Sequence, residues 1–283
     1  MPLPVAASDA ISTLEAIVLG IVQGLTEFLP ISSSAHVRIV PALFGWPDPG
    51  AAFTAVIQLG TMAAVLIYFR NDLLHILRAF LGSLRDRSYW RSPEVDARTG
   101  WYLIIGTIPI GIIGLALKDT IETGVRSLEL IAVMLILFSA VMWQADRVGR
   151  RTRELEEVDR RDAIAIGFAQ ALALIPGVSR SGATISFGLF QGFTREAAAR
   201  FSFLLSVPAV VLSGLFELRK VGDGTGVGIG ATVIAAIFAF IFGYASIAWL
   251  LGYLRTHSLG IFVRYRLVLG VLVLLLALAG AIS

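Results

Sequence analysis

The sequence predicts an all-α polytopic membrane protein, with six transmembrane helices plus two re-entrant helical hairpins in an inverted-topology repeat. Three observations lead there. Apolar runs of about 20 residues recur along the chain, the length a helix needs to cross a bilayer. The connections between them alternate between arginine-rich and arginine-poor. Two further apolar segments resemble each other, and each is broken by a proline and a row of hydroxyls. Composition agrees: 57% of the 283 residues are apolar, 15% are charged and the mean hydropathy is +0.82. A soluble domain carries roughly 25% charged residues. Residues 1–283 therefore read as a single membrane domain.

In order, the six spans are Ala52–Phe69, Trp101–Leu117, Leu128–Ala145, Ala199–Phe216, Val227–Leu251 and Arg266–Ile282. Arg70, Arg78, Arg85, Arg87, Arg91 and Arg98 follow the first. Arg147, Arg150, Arg151, Arg153, Arg160 and Arg161 follow the third, and Arg255, Arg264 and Arg266 follow the fifth. Connections 118–127 and 217–226 carry two basic residues each. The positive-inside rule places the arginine-rich connections in the cytoplasm and both termini outside. Trp101, Trp143 and Trp249 fall near span ends, as interfacial anchors do. These arginines also account for the net charge of +3 without a nucleic-acid partner. Cysteine is absent, which excludes disulfides and thiolate metal sites. The N-terminus lacks the basic region of a cleavable signal, so it is expected to stay in the mature chain.

Ile11–Trp46 and Ala163–Phe193 do not suit simple spans. Each can enter as a helix, break at its proline and leave as a second helix. Irregular backbone at membrane depth is tolerated where protein or a watery cavity surrounds it. Setting "GIVQGLTEFLPISSS" from Gly20 on "GFAQALALIPGVSRS" from Gly167 pairs Gly20 with Gly167, Gln23 with Gln170, Ser32 with Ser179 and Ser34 with Ser181. Repeats 11–145 and 162–283 would each hold one hairpin and three spans. With an odd number of spans each, the second starts on the opposite side, and the broken helices of such repeats meet near the midplane.

The polar residues of these hairpins are the candidate site. Gln23 and Glu27, four apart, share one helical face. A charge in a membrane helix costs roughly 2.5–3.5 kcal/mol on insertion scales and is read as functional by default. Glu15 instead suits a solvated helix start. Ser32, Ser33, Ser34 and His36 follow the Pro30 turn. A serine opening a helix is commonly a cap, which covers at least one of the three. Of three histidines, His75 and His257 lie beside arginine-rich connections, leaving His36 as the functional candidate. In the second hairpin, Arg180 offers a planar fork matched to phosphate oxygens. Gly177 and the helix start behind it let backbone amides converge on an anion, and Ser179, Ser181 and Thr184 add neutral donors. No nucleotide-binding G-x-x-x-x-G-K pattern is present. An anion cradle facing Glu, Ser and His best fits a lipid-borne phosphate ester or diphosphate.

These residues resemble the undecaprenyl-diphosphate phosphatases associated with bacitracin resistance. The resemblance rests on Gln23-x-x-x-Glu27, "PISSSAH" at Pro30–His36 and "PGVSRSGAT" at Pro176–Thr184, and covers nearly the whole chain. It implies hydrolysis of a polyprenyl diphosphate at the outer face of a bacterial cytoplasmic membrane, recycling a cell-wall lipid carrier. It also implies that bacitracin competes for the substrate, that a divalent cation (Mg²⁺, with Ca²⁺ as the alternative) is required, and leaves a homodimer open. Glu27 and Gln23 would hold the metal. With one carboxylate rather than two, the cation is expected to draw further ligands from substrate phosphate. Ser33 is the expected nucleophile, with Ser32 and Ser34 holding phosphate oxygens and His36 as general acid or base. Glu27 either holds the metal or takes the serine proton, and Arg180 stabilises the transferring phosphoryl group. Attack by a metal-activated water is the competing scheme. A transporter or flippase for a phosphorylated lipid or small anion is the alternative of another class. The other membrane lipid phosphatase pattern, S-R-x-x-x-x-x-H, is excluded because Ser186 stands where its histidine would.

Overall fold

The structure, a computed structural model, describes residues 11–48, 50–85, 94–117, 127–217 and 229–282. Arg87 and Arg91, connections 118–126 and 218–226, the start of a span at Val227 and the N-terminal segment lie outside the described residues. Eleven α-helices and one 3-10 turn make up the described chain, and the only β-type pairing within it is an isolated bridge between Arg153 and Phe193. The helices are α1 (Thr13–Glu27), α2 (Ser33–Phe44), α3 (Gly50–Tyr68), α4 (Arg70–Arg85), α5 (Val95–Ala116) and α6 (Leu128–Val148). After the 3-10 turn Leu155–Glu157 come α7 (Arg160–Leu172), α8 (Arg180–Phe190), α9 (Arg195–Glu217), α10 (Ile229–Leu254) and α11 (Gly260–Leu278).

Local chemistry sets several boundaries. Ser12 and Glu15 close a capping box that opens α1, which is the solvated role expected of Glu15. Asp159 accepts from the amides of Arg161 and Asp162 at 2.7 and 2.9 Å and opens α7 in the same way. Both helices stop just before a Pro-containing turn, and α2 and α8 begin after it. The result is two helical hairpins, α1–α2 and α7–α8.

Four helices, α5, α6, α10 and α11, are each long and apolar enough to cross a membrane. Many of their exposed residues are apolar, among them Ile108, Ile112, Leu137, Ile237 and Val268, as a lipid-facing surface requires. α3 passes that test only with α4, which bends away from it by 76°. α9 begins with Arg195, Glu196 and Arg200, so its first turns belong outside the apolar layer. The span expected from Arg266 starts earlier: α11 begins at Gly260 and carries Arg266 inside it, wholly buried. This corrects the reading of Arg266 as a residue of a cytoplasmic connection.

Two tight crossings position the hairpins. α1 lies on α10, where a Cβ added at Gly20 would stand 2.2 Å from the carbonyl oxygen of Ala235. α7 lies on α5, where a Cβ at Gly167 would stand 2.5 Å from that of Gly106. Small residues let membrane helices approach this closely. The arginine-rich segments converge on one face. Arg200 pairs with Asp72 at 3.1 Å, Arg195 with Asp146 at 2.6 Å and Arg255 with Glu196 at 3.3 Å. Arg153 grips both carboxylate oxygens of Asp162 at 3.0 and 2.6 Å and lies over the ring of Phe193.

Candidate active site

The first hairpin folds Ser33 back onto the end of α1. Helical spacing puts Gln23 and Glu27 on one face, and Gln23 Nε2 donates to Glu27 Oε2 at 2.9 Å. The turn 28–32 reverses the chain, so that Ser33 Oγ donates to the same oxygen at 2.6 Å. The other carboxylate oxygen, Oε1, takes Arg180 Nη2 from the second hairpin at 2.5 Å. The Glu27 side chain is only 7% exposed and that of Arg180 16%. A hydroxyl and a guanidinium thus meet on one buried carboxylate, the guanidinium reaching it from 153 positions along the chain.

The two turns share backbone geometry. Ser32 (φ 76°) and Ser179 (φ 74°), the residues that precede α2 and α8, both sit at positive φ, where non-glycine residues carry strain and cluster at functional sites. Ser32 Oγ meets Ser34 Oγ at 3.2 Å, and Ser179 Oγ meets Ser181 Oγ at 3.2 Å. Ser34 is exposed beside Ser33. Ser179 caps α8 by accepting from the Gly182 amide, and Ser181 donates across to the Leu29 carbonyl at 3.0 Å. Thr184 is turned toward α9, where its hydroxyl meets Ser202 Oγ at 2.6 Å, and it also donates to the Arg180 carbonyl at 2.8 Å. Gly177 sits at φ 94° with Ile131 so near that a Cβ would fall 2.6 Å from its carbonyl oxygen. Ser179, Thr184 and Gly177 therefore build the second turn, whereas Ser33, Gln23 and Arg180 are joined by their hydrogen bonds to Glu27.

His36 lies apart from that cluster. Its Nδ1 is 2.7 Å from the Ser32 carbonyl and its Nε2 2.6 Å from the Tyr265 hydroxyl, with the Tyr265 ring stacked on it. A carbonyl only accepts, so Nδ1 donates its proton to Ser32, while Nε2 shares a hydrogen bond with the Tyr265 hydroxyl. Both nitrogens are thereby engaged, and neither reaches Glu27 or Ser33 by a hydrogen bond.

Arg266 is the residue that sequence reading missed. It is 0% exposed and donates to the carbonyls of Pro30 (3.3 Å), Gly177 (2.8 Å) and Val178 (3.2 Å). Counted with the arginines of its connection, it carried no local signal. Its one cue was the apolar sequence that follows it directly.

Glu27 and Arg180 border a shallow surface depression whose other walls come mainly from α3 and α9. Phe28, Met62, Val65 and Val210 supply apolar walls, with Thr61 and Ser206 among them. A charged end and an apolar wall suit an amphipathic ligand. Hard oxygens near it come from Glu27, Ser33 and Gln23. Among the described residues no group of three His, Asp or Glu is placed to hold a metal ion, and both Glu27 oxygens already accept hydrogen bonds. These residues fit a cation that takes most of its ligands from substrate phosphate and water, and do not fit a metal caged by protein alone.

Residues 16–272 match the family model described as bacitracin resistance protein BacA. An undecaprenyl-diphosphatase of Nocardioides sp. is 54% identical over 271 residues, covering 95% of this chain and 98% of that protein. An undecaprenyl-diphosphatase of Thermobifida fusca is 52% identical over 96% of this chain and 92% of its own length. One of Chlorobaculum parvum is 54% identical over 91% and 94%. With two hairpin tips meeting on one buried carboxylate, and with relatives this similar along nearly the whole chain, the protein belongs to the bacitracin resistance protein BacA family.

Proposed function

We propose that this multi-pass membrane protein hydrolyses undecaprenyl diphosphate to undecaprenyl phosphate and inorganic phosphate, the activity its relatives are named for. The observation that carries the mechanism is the pair of contacts on Glu27: the Ser33 hydroxyl on one oxygen and Arg180 on the other. A serine within hydrogen-bond reach of a base is the arrangement of an activated nucleophile. Ser33 Oγ attacks the terminal phosphorus while its proton passes to Glu27. The anhydride P–O bond breaks, undecaprenyl phosphate leaves, and the phosphoryl group stays on Ser33. Glu27 passes that proton to the departing phosphate, then takes one from the water that attacks the phosphorus and returns it to Ser33 Oγ as the Ser33–phosphorus bond breaks, releasing inorganic phosphate. Arg180 neutralises charge on the transferring group.

On this reading Arg180 and Glu27 neutralise each other. Arg180 and Glu27 hold each other until a multiply charged diphosphate competes for the guanidinium, which frees the carboxylate to act as base. A divalent cation, Mg²⁺ with Ca²⁺ as the alternative, would be held by Glu27, Gln23 and substrate oxygens, and would supply further neutralisation of phosphate charge. Ser34, exposed beside the nucleophile, would hold phosphate oxygens, and Ser181 would join it on releasing the Leu29 carbonyl. His36 serves α2 through its two bonds.

The architecture we propose is six spans with α1–α2 and α7–α8 as re-entrant hairpins of inverted repeats 11–145 and 162–283. The positive φ of Ser32 and Ser179 and the glycine crossings of α1 on α10 and α7 on α5 support it. The arginine-rich face would be cytoplasmic and the site would open outward in a bacterial cytoplasmic membrane. The isoprenoid tail would lie between α3 and α9, and bacitracin would compete for the same lipid. Phosphate release from undecaprenyl diphosphate in detergent, with magnesium and with chelator, tests the function. The wild type should release phosphate only with the cation. Ser33→Ala and Glu27→Gln should each lose about 10²–10⁴-fold, and Arg180→Ala about 10²–10³-fold. Release unchanged in Ser33→Ala would make water the nucleophile. No release from folded wild type would bring the transporter forward.

A further inference from the structure

Arg266 is a cation in the interior, without exposure, on a helix that is apolar throughout from Leu267 to Leu278. Among the described residues no carboxylate pairs with it, and its Nε has no partner. A buried charge of this kind is expensive unless its hydrogen bonds do something no neutral side chain does. Its acceptors are all backbone carbonyls of the two turns. Pro30 lies three residues from Glu27 on one side and three from Ser33 on the other. Gly177 and Val178 immediately precede Ser179 and Arg180. One planar guanidinium thus grips both pieces of irregular backbone from which the reactive cluster projects. Carbonyls in such turns have no helical partner, and a fork with several donors can bridge two turns where a single ammonium cannot. The neighbouring residue extends the grip, because Tyr265 holds His36 one turn into α2.

We propose that Arg266 is the positioning residue of this site: its guanidinium sets the spacing of the two hairpin tips, so that Arg180 of one meets the Ser33–Glu27 pair of the other. Tyr265 is the second arm of the same device. The action is through geometry, and Arg266 does not touch the reacting atoms. The proposal rests on the reading that Ser33, Glu27 and Arg180 form one reactive cluster, and Ser33→Ala run alongside separates the failure of that reading from the failure of this one.

The test compares wild type, Arg266→Lys and Tyr265→Phe in phosphate release, after size exclusion in detergent confirms a folded particle. Arg266→Lys keeps the charge and loses the fork. Its kcat should fall about 100-fold, the loss a displacement of about 1 Å brings, with KM for the lipid within about threefold. Tyr265→Phe, which removes one hydroxyl and no charge, should lower kcat about tenfold with KM unchanged. A role in stability alone would reduce the yield of folded protein and leave kcat per folded molecule alone. Because the chain has no cysteine, spin labels at Leu25→Cys and Leu172→Cys, exposed positions near the hairpin ends, report the spacing directly. The distance distribution should be narrow in wild type and broad in Arg266→Lys. Wild-type kcat in Arg266→Lys, or an unaltered distribution beside a lowered kcat, would overturn the proposal. Where Arg266→Lys yields no folded particle, Tyr265→Phe decides, and wild-type kcat there would overturn it.

Discussion

Glu27 shows how much one side chain can be asked to do. It accepts from an amide, a hydroxyl and a guanidinium, and each donor comes from a different local structure. The residues of this cluster were legible in the sequence, since a carboxylate and an arginine inside apolar segments need a reason to be there. The expectation of Ser33 among three adjacent serines had no local signal behind it, and Ser33 is the one whose hydroxyl bonds Glu27. Arg266 was not legible, because its acceptors are carbonyls, which no sequence pattern marks. A second residue with a defined role is Asp159, outside the apolar layer. The amide of Asp162, then that of Arg161, holds its carboxylate below the ordinary range despite an opposing effect of burial. The stability it adds is therefore present above the unfolded value of about 4 and is lost as pH falls through the lower folded value. Asp159→Ala should cost about 1 kcal/mol, while Asp159→Asn, which still caps, should cost less and remove this pH dependence. Thermal unfolding in detergent between about pH 3 and 7 checks both.

At the scale of elements, hydropathy marked the apolar helices but not α4, a 16-residue helix inside a connection read only as arginine-rich, and helix ends followed from chemistry that hydropathy ignores. The fourth expected span begins at Ala199, whereas α9 starts at Arg195, because Thr194 accepts from the Ala197 amide and its own amide bonds the Arg153 carbonyl. Likewise α11 runs six residues earlier than its apolar stretch, since Leu259 is tied to Asp146 and the helix starts there. The two glycines that aligned in the sequence prove to be the points where hairpin helices touch their neighbours' backbone. Gly20→Ala and Gly167→Ala should each destabilise by about 1–3 kcal/mol, because the added carbon can be accommodated only by separating the helices. Gly111→Ala has open space around it and should be neutral or stabilising by up to about 1 kcal/mol. Melting of the three variants in one detergent provides the comparison, and equal losses at all three would rule out crossings as the cause.

Across the whole molecule, charge is segregated. Ion pairs join α4 to α9, α6 to α9 and α9 to the connection between α10 and α11 on the arginine-rich face, while the hairpin tips hold the Glu27–Arg180 pair and the uncompensated Arg266. Charge counting along the sequence found the first group because connections are contiguous in the chain. It could not find how the tips meet, since that depends on two hairpins 153 residues apart being brought together. Packing does that: α1 on α10, α7 on α5 and Arg266 between the tips. In the proposed mechanism this meeting activates Ser33 as a nucleophile. The most direct measurement is to quench the enzyme early in turnover of undecaprenyl diphosphate and search for phosphate on Ser33 by peptide mass analysis. A transient phosphoserine at position 33, absent from Ser33→Ala and from Glu27→Gln, is expected. Steady turnover with no phosphate on Ser33 at any time, beside a Ser33→Ala variant that still releases phosphate at the wild-type rate, would contradict it.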